Sequence, residues 1–239
     1  GLEPLLAARR ATGLGFGGAL PNLIAISAEI SNPQRRSFVT SAMMCGMPAG
    51  GVCVSLLARA AGEEIGWRAL FLAGGALPLV VAPLIALWLP ETRPTGSAKS
   101  EVRLAETLFA GGRAGPTLLL WAASLLTLVV MYLLLNWLPT LVVAKGYGPA
   151  DGATASLAFN AVGIAGSLVL GLTADRAGVR LTMLGAYLAL GAALWGLGAA
   201  AGLGGIVALS GTVGFLVMGT QYILYSLAPT LYPQAAWAA

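Results

Sequence analysis

Residues 152–180 read GATASLAFNAVGIAGSLVLGLTADRAGVR: an uncharged, largely apolar run over 152–174 that stops at Asp175, Arg176 and Arg180. The run exceeds the roughly 18 apolar residues that mark a membrane-spanning helix. Its closing charges are what a short loop at a membrane surface carries. The same alternation continues in both directions, with uncharged runs over 38–58, 69–90, 114–144 and 181–239. Of the 239 residues, 58% are apolar and 9% charged, against about 25% charged in an ordinary soluble domain. A soluble globular fold is excluded, and the chain reads as an all-α, polytopic membrane protein.

Working outward from this stretch gives seven spans, at about 5–28, 38–58, 69–89, 116–143, 153–174, 181–200 and 205–231. The run 181–239 divides in two, because a single helix of that length would measure roughly 88 Å, about three times the hydrocarbon thickness. Ala201-Gly202-Leu203-Gly204-Gly205 is expected to supply the turn. One set of alternate loops holds Arg35, Arg36, Arg93, Lys99, Arg103, Arg113, Arg176 and Arg180, while the other holds Arg59, Arg68 and Lys145. The richer side is therefore expected to be cytoplasmic. The longest polar stretch, 91–115, reads as a cytoplasmic linker between a first bundle over 1–90 and a second over 116–239. The chain opens on Gly1 inside an apolar unit and is expected to be a piece of a longer protein.

Composition narrows the chemistry. There is no His, which removes the usual general base and the commonest metal ligand. Cys45 and Cys53 stand about 12 Å apart along one helix, too far to pair. A metal site, a cofactor and an integral membrane enzyme are not expected. The net charge of +4 resides in loop clusters and forms no basic face for nucleic acid.

Several residues stand out against this apolar background. Arg9 and Arg10 lie inside the first run, where a guanidinium costs at least about 2.5 kcal/mol unless it meets a partner or a wet cavity. Adjacent residues point about 100° apart, so one of the two is expected to snorkel to the headgroups. Gly13, Gly15, Gly17 and Gly18, and the pair Gly46 and Gly50 around Pro48, read as small-residue helix packing. Pro21 and Pro48 are expected to bend their helices. Asp175, Arg176 and Arg180 form either a solvated turn or a lock in which Asp175 caps a neighbouring helix and pairs with an arginine. Glu29 with Arg35 and Arg36 makes a similar cluster, open to orientation or to gating. Tyr132 and Asn136 share a face of the fourth span, as Gln221 and Tyr225 do on the seventh. Each pair is either interhelical glue or a substrate contact. Asn160 reads as glue, and Trp121, Trp137 and Tyr147 as interfacial belt residues.

Arg9-Arg10-Ala11-Thr12-Gly13-Leu14-Gly15-Phe16-Gly17-Gly18 resembles the Arg-and-glycine motif of the fourth helix of the major facilitator superfamily. Gly171-Leu172-Thr173-Ala174-Asp175-Arg176-Ala177-Gly178-Val179-Arg180 resembles its G-x-x-x-D-R-x-G-x-R loop between helices 8 and 9. Gly66-Trp67-Arg68 with Phe71, closing at Leu89-Pro90-Glu91-Thr92, resembles its sixth helix. Gly18-Ala19-Leu20-Pro21-Asn22, Cys45-Gly46-Met47-Pro48, Asn136-Trp137-Leu138-Pro139 and Gln221-Tyr222-Ile223-Leu224-Tyr225 most resemble the aromatic acid:proton symporters, phenylpropionate porters among them.

The resemblance runs from helix 4 to helix 10 of a twelve-helix fold and departs at 234–239. It implies a monomeric transporter of the bacterial inner membrane that takes up a small aromatic acid with a proton by alternating access. By the same resemblance Arg9, four residues before Gly13, faces the cavity and holds the carboxylate, and Arg10 snorkels. Tyr132, Asn136, Gln221 and Tyr225 line the substrate site, while Asp175, Arg176, Arg180 and Glu29 form the gate. The spans hold no buried acid, so the proton carrier is expected on a helix outside this chain. A multidrug or sugar porter suits the loop motifs equally, although a proton-coupled exporter would show a Gly-Pro pair where Gly46-Met47-Pro48 stands. An inactive truncated product is a further alternative.

Overall fold

The computed structural model describes residues 2–61, 67–88 and 108–232. These residues form helices α1 (Leu2–Ile30), α2 (Arg36–Met44), α3 (Gly46–Ala61), α4 (Trp67–Trp88), α5 (Ala114–Ala144), α6 (Pro149–Ala177), α7 (Val179–Ala199) and α8 (Leu203–Leu231), with a 3₁₀ turn at Pro33–Arg35. Helices stand at all seven expected positions, each within a few residues of its expected bounds. The linker expected over 91–115 lies mostly outside the described residues.

The second span is divided at Cys45 into α2 and α3. Pro48 has no N–H to give to Met44 four residues back, and its ring crowds that carbonyl. The chain stays helical around the break, with Cys45 N bonded to Ser41 O at 3.0 Å and Ala49 N to Cys45 O at 3.0 Å. The expected bend at Pro48 is thus a local interruption, whereas Pro21 sits within the unbroken α1. The turn between α7 and α8 is shorter than the sequence suggests, since Gly204 and Gly205 already belong to α8.

Five helical stretches among the described residues are long and apolar enough to cross a membrane: Pro33–Leu57, Ala114–Ala144, Pro149–Ala177, Val179–Ala199 and Leu203–Leu231. The chain is a multi-pass membrane protein. Its centre is the pair α6 and α8. From Val213 to Leu224 nearly every residue of α8 is buried, as befits a helix apolar on all sides.

The pair packs backbone against backbone. A Cβ at Gly166 would collide with the Phe215 main chain, one at Gly214 with the Phe159 carbonyl, and one at Gly219 would stand 2.9 Å from Gly166 O. Small-residue packing was expected on α1 and around Pro48, yet Cβ atoms at Gly13, Gly15, Gly17, Gly18, Gly46 and Gly50 would meet nothing within 4 Å. Close approach needs a facing helix, and among the described residues those glycines have none. Gly51 does have one, because Asn160 of α6 presses its amide there, 2.5 Å from where a Cβ would stand. On α4 the described apolar side chains are exposed, Leu72, Leu77, Leu79 and Leu87 among them.

Asp175, Arg176 and Arg35 meet at one end of the bundle. At the opposite end, Lys145 after α5 donates to the last carbonyls of α7, Leu197 O, Gly198 O and Ala200 O, at 3.4, 3.3 and 2.9 Å. A cation there complements the negative end of the helix dipole. Tyr147 OH donates to Ala201 O at 2.7 Å beside it, a specific role where an interfacial belt residue was expected. Gly178 (φ +90) alone separates α6 from α7, and Gly146 (φ +92) turns the chain after α5. Both positions need the left-handed freedom of glycine.

Candidate functional site

A polar cluster interrupts the apolar interior where α8, α5 and the break in the second span converge. No charged residue occurs over 38–58, 114–144 or 205–231, so its chemistry is that of phenols, an amide and a thiol. Tyr222 and Tyr225, three apart on α8, stack with ring centroids 6.2 Å apart and an interplanar angle of 23°. Tyr222 neighbours Cys45, Tyr225 and Tyr132. Gln221 is fully buried with its amide beside the Tyr225 phenol, but neither amide atom completes a hydrogen bond of full geometry. The floor of the cluster is therefore closed by Gln221 and Tyr222, and its open side carries Tyr132.

The structure thus brings together Tyr132, Gln221 and Tyr225 of the five expected substrate contacts. Asn136 is exposed one turn from Tyr132 and donates from Nδ2 to the Tyr132 carbonyl at 2.7 Å, so its amide is partly engaged within its own helix. Asn160 likewise bonds Ser156 O, at 2.9 Å, while touching Gly51.

Arg9 is exposed on α1 and is not joined to the cluster. Its direction is nonetheless fixed by helix geometry. Arg9 and Ser27 are separated by five whole turns, and Leu20 and Ile24 fall within about 60° of the same line. Leu20 and Ile24 pack on the core, and Ser27 meets Thr40 of α2 at 3.1 Å. Arg9 therefore falls on the same line of α1 as Leu20, Ile24 and Ser27, in a half of the helix whose described side chains are exposed, and Arg10 lies about 100° away from it.

Two residues of the cluster were not singled out from sequence. Tyr222 sits between two positions that were, but on a span apolar all round an aromatic residue reads as core. Cys45 enters the sequence reading as a disulfide partner and within the Cys45-Gly46-Met47-Pro48 motif but with no site role, and its place in the cluster follows from the break at Pro48, which no helical periodicity signals.

At the loop-rich end Asp175, in the last turn of α6, reaches across to the start of α2. Its Oδ1 accepts from Ser37 N at 3.2 Å and its Oδ2 from Phe38 N at 2.9 Å. The carboxylate satisfies two of the N–H groups a helix start leaves unpaired and meets the positive end of its dipole. The approach depends on Gly171, one turn earlier, where a Cβ would stand 2.9 Å from Ser41 Oγ and 3.2 Å from Ser37 O. Of the two features expected of a lock, the helix cap is formed. Arg35 and Arg176 line the adjoining cleft of about 440 Å³ with Asp175, Gln34, Phe38 and Leu172. Arg176 and Arg180 are exposed, and the side chain of Glu29 lies outside the described residues. Hydroxyls continue the contact inward, with Ser226 of α8 donating to Ser37 at 3.1 Å in a buried position.

Comparison with known proteins agrees with this architecture. The chain is 37% identical over 228 residues to a 3-(3-hydroxy-phenyl)propionate transporter of Escherichia coli, covering 95% of this chain and 56% of that protein. It is 31% identical to the 4-hydroxybenzoate transporter PcaK of Pseudomonas aeruginosa, covering 97% and 59%. It is 28% identical to a gallate transporter of Pseudomonas putida, covering 94% and 57%. The chain thus spans under three-fifths of the length of these curated relatives. A family model for the Major Facilitator Superfamily matches residues 2–237, and with nearly the whole sequence accounted for on an all-helical, multi-pass fold, the chain belongs to that superfamily.

Proposed function

We propose that the chain belongs to a secondary active transporter that takes up a small aromatic carboxylate with a proton. The observation that carries this reading is the polar cluster of Tyr132, Gln221, Tyr222 and Tyr225 in otherwise uncharged spans. Stacked phenols offer flat apolar faces to an aromatic ring, and a buried amide offers a donor and an acceptor to its substituents. The names of the relatives point to the same class of cargo.

In this reading Arg9 grips the carboxylate through a two-point guanidinium contact, and Asn136 stands at the rim. Residues 1–90 and 116–239 act as two bundles, joined by a cytoplasmic linker over 91–115, which rock about the midplane site in a monomer of the bacterial inner membrane. Asp175, with Arg176, Arg180 and Glu29, stabilises closure at the cytoplasmic end. The coupling proton travels on an acid outside these spans.

The test is uptake of radiolabelled aromatic acids, sugars and cationic drugs into cells expressing the intact protein, with and without a protonophore. Accumulation of aromatic acids that the protonophore abolishes is the expected result. Accumulation of sugar or drug in their place overturns the assignment.

A further inference from the structure

Among the described residues, Gln221 is the one whose buried side chain leaves two polar atoms, Nε2 and Oε1, without a hydrogen bond of full geometry, where the hydroxyls of Ser41, Ser156 and Ser210 leave one each. It is wholly inaccessible, and an amide unpaired in a low-dielectric interior is strongly unfavourable. Packing gives no reason for it, since Leu or Met would fill the same space in α8 without an unpaired atom. Thr220 beside it shows the alternative: its hydroxyl turns back to Leu216 O at 2.7 Å, a local bond that Gln221 does not make. The amide lies beside the phenol of the half-buried Tyr225, with the exposed Tyr132 nearby.

We propose that Gln221 is the specificity-determining residue for a hydroxyl group on the aromatic ring of the substrate, an inference that rests on the transport reading above. A ring hydroxyl donating its proton to Oε1, with Nε2 turned to the Tyr225 oxygen, leaves no amide atom unpaired. A carboxylate has no proton to give Oε1 and would set a negative oxygen against it. An unsubstituted ring leaves the amide as it stands. Sites built to pair a substrate hydroxyl reject the analogue lacking it, because their own buried polar groups are then left without partners.

The experiment measures equilibrium binding of radiolabelled 3-(3-hydroxyphenyl)propionate and 3-phenylpropionate to the intact protein in proteoliposomes. The wild type is expected to prefer the hydroxylated acid by at least about tenfold. Gln221→Leu is expected to erase that preference by weakening the hydroxylated acid alone, leaving the unsubstituted acid within about threefold. Gln221→Met repeats the comparison if the leucine variant does not fold. A preference that survives both substitutions overturns the inference, as does equal weakening of the two acids, or a wild type that binds both equally. Each of these leaves the transport reading standing. A wild type that binds neither acid overturns both.

Discussion

Arg9 and Arg10 carry the same charge on neighbouring positions of one helix, and only their directions differ. Since Arg9 shares its face with Leu20, Ile24 and Ser27, Arg9→Lys is expected to impair uptake of an aromatic acid severely in the intact protein. An ammonium cannot reproduce a planar two-point grip on a carboxylate. Arg10→Lys is expected to be mild, because a snorkelling lysine serves as well as an arginine. Initial uptake rates at matched expression check this, and equal effects would assign both arginines to membrane insertion. Asp175→Asn keeps one acceptor oxygen for one of the Ser37 and Phe38 amides, sets an NH2 in place of the other and removes the charge that meets the helix dipole. It is expected to slow transport while substrate affinity stays within about twofold, because it shifts the balance between states and touches no part of the tyrosine cluster. Parallel binding and uptake measurements separate this from misfolding, in which both fall together. At this scale the sequence is an uneven guide. Asp175 is legible because a charge beside an apolar run has few places to go. The engagement of Asn136 with its own helix depends on a rotamer, which no spacing reveals.

Helix existence is what hydrophobic run length predicts best, and the seven helices follow from the positions of charges together with the length of the uncharged run 181–239, which divides at its Gly-rich turn. Which helices pack most closely does not follow, because glycine is frequent in α1, α3, α6 and α8 alike while only some glycines face a neighbouring backbone. Gly166, set against the Phe215 main chain, and Gly185 of α7, with nothing within 4 Å of its Cβ position, make a matched pair. Gly166→Ala is expected to destabilise the protein by about 1–3 kcal/mol, since backbone on the far side cannot give way. Gly185→Ala is expected to be neutral or to stabilise by up to about 1 kcal/mol through helix propensity. Thermal unfolding in detergent followed by fluorescence-detected gel filtration ranks the two. A lower midpoint for Gly185→Ala than for Gly166→Ala would invert the packing assignment.

For the molecule as a whole, the charge pattern of the loops anticipates which segments share an end, and Asp175 on α2 at one end with Lys145 on α7 at the other agrees with it. The position of α8 at the centre was not legible, because a helix apolar on every side gives no moment to orient it. The glycine contacts between α6 and α8 have a mechanical consequence. With main chain resting on main chain there is no side chain to bend, so the two helices form a beam that transmits load without yielding. The boundary of that beam with α2 and α3 is of another kind, faced with hydroxyls and one carboxylate that can exchange partners as surfaces slide. In a background without Cys45 and Cys53, a disulfide between Val162→Cys and Gly211→Cys, whose Cβ atoms would stand 3.4 Å apart, is a weld inside the beam and is expected to leave uptake intact. One between Ser41→Cys and Gly171→Cys clamps the beam to its bearing and is expected to halt uptake until a reductant releases it.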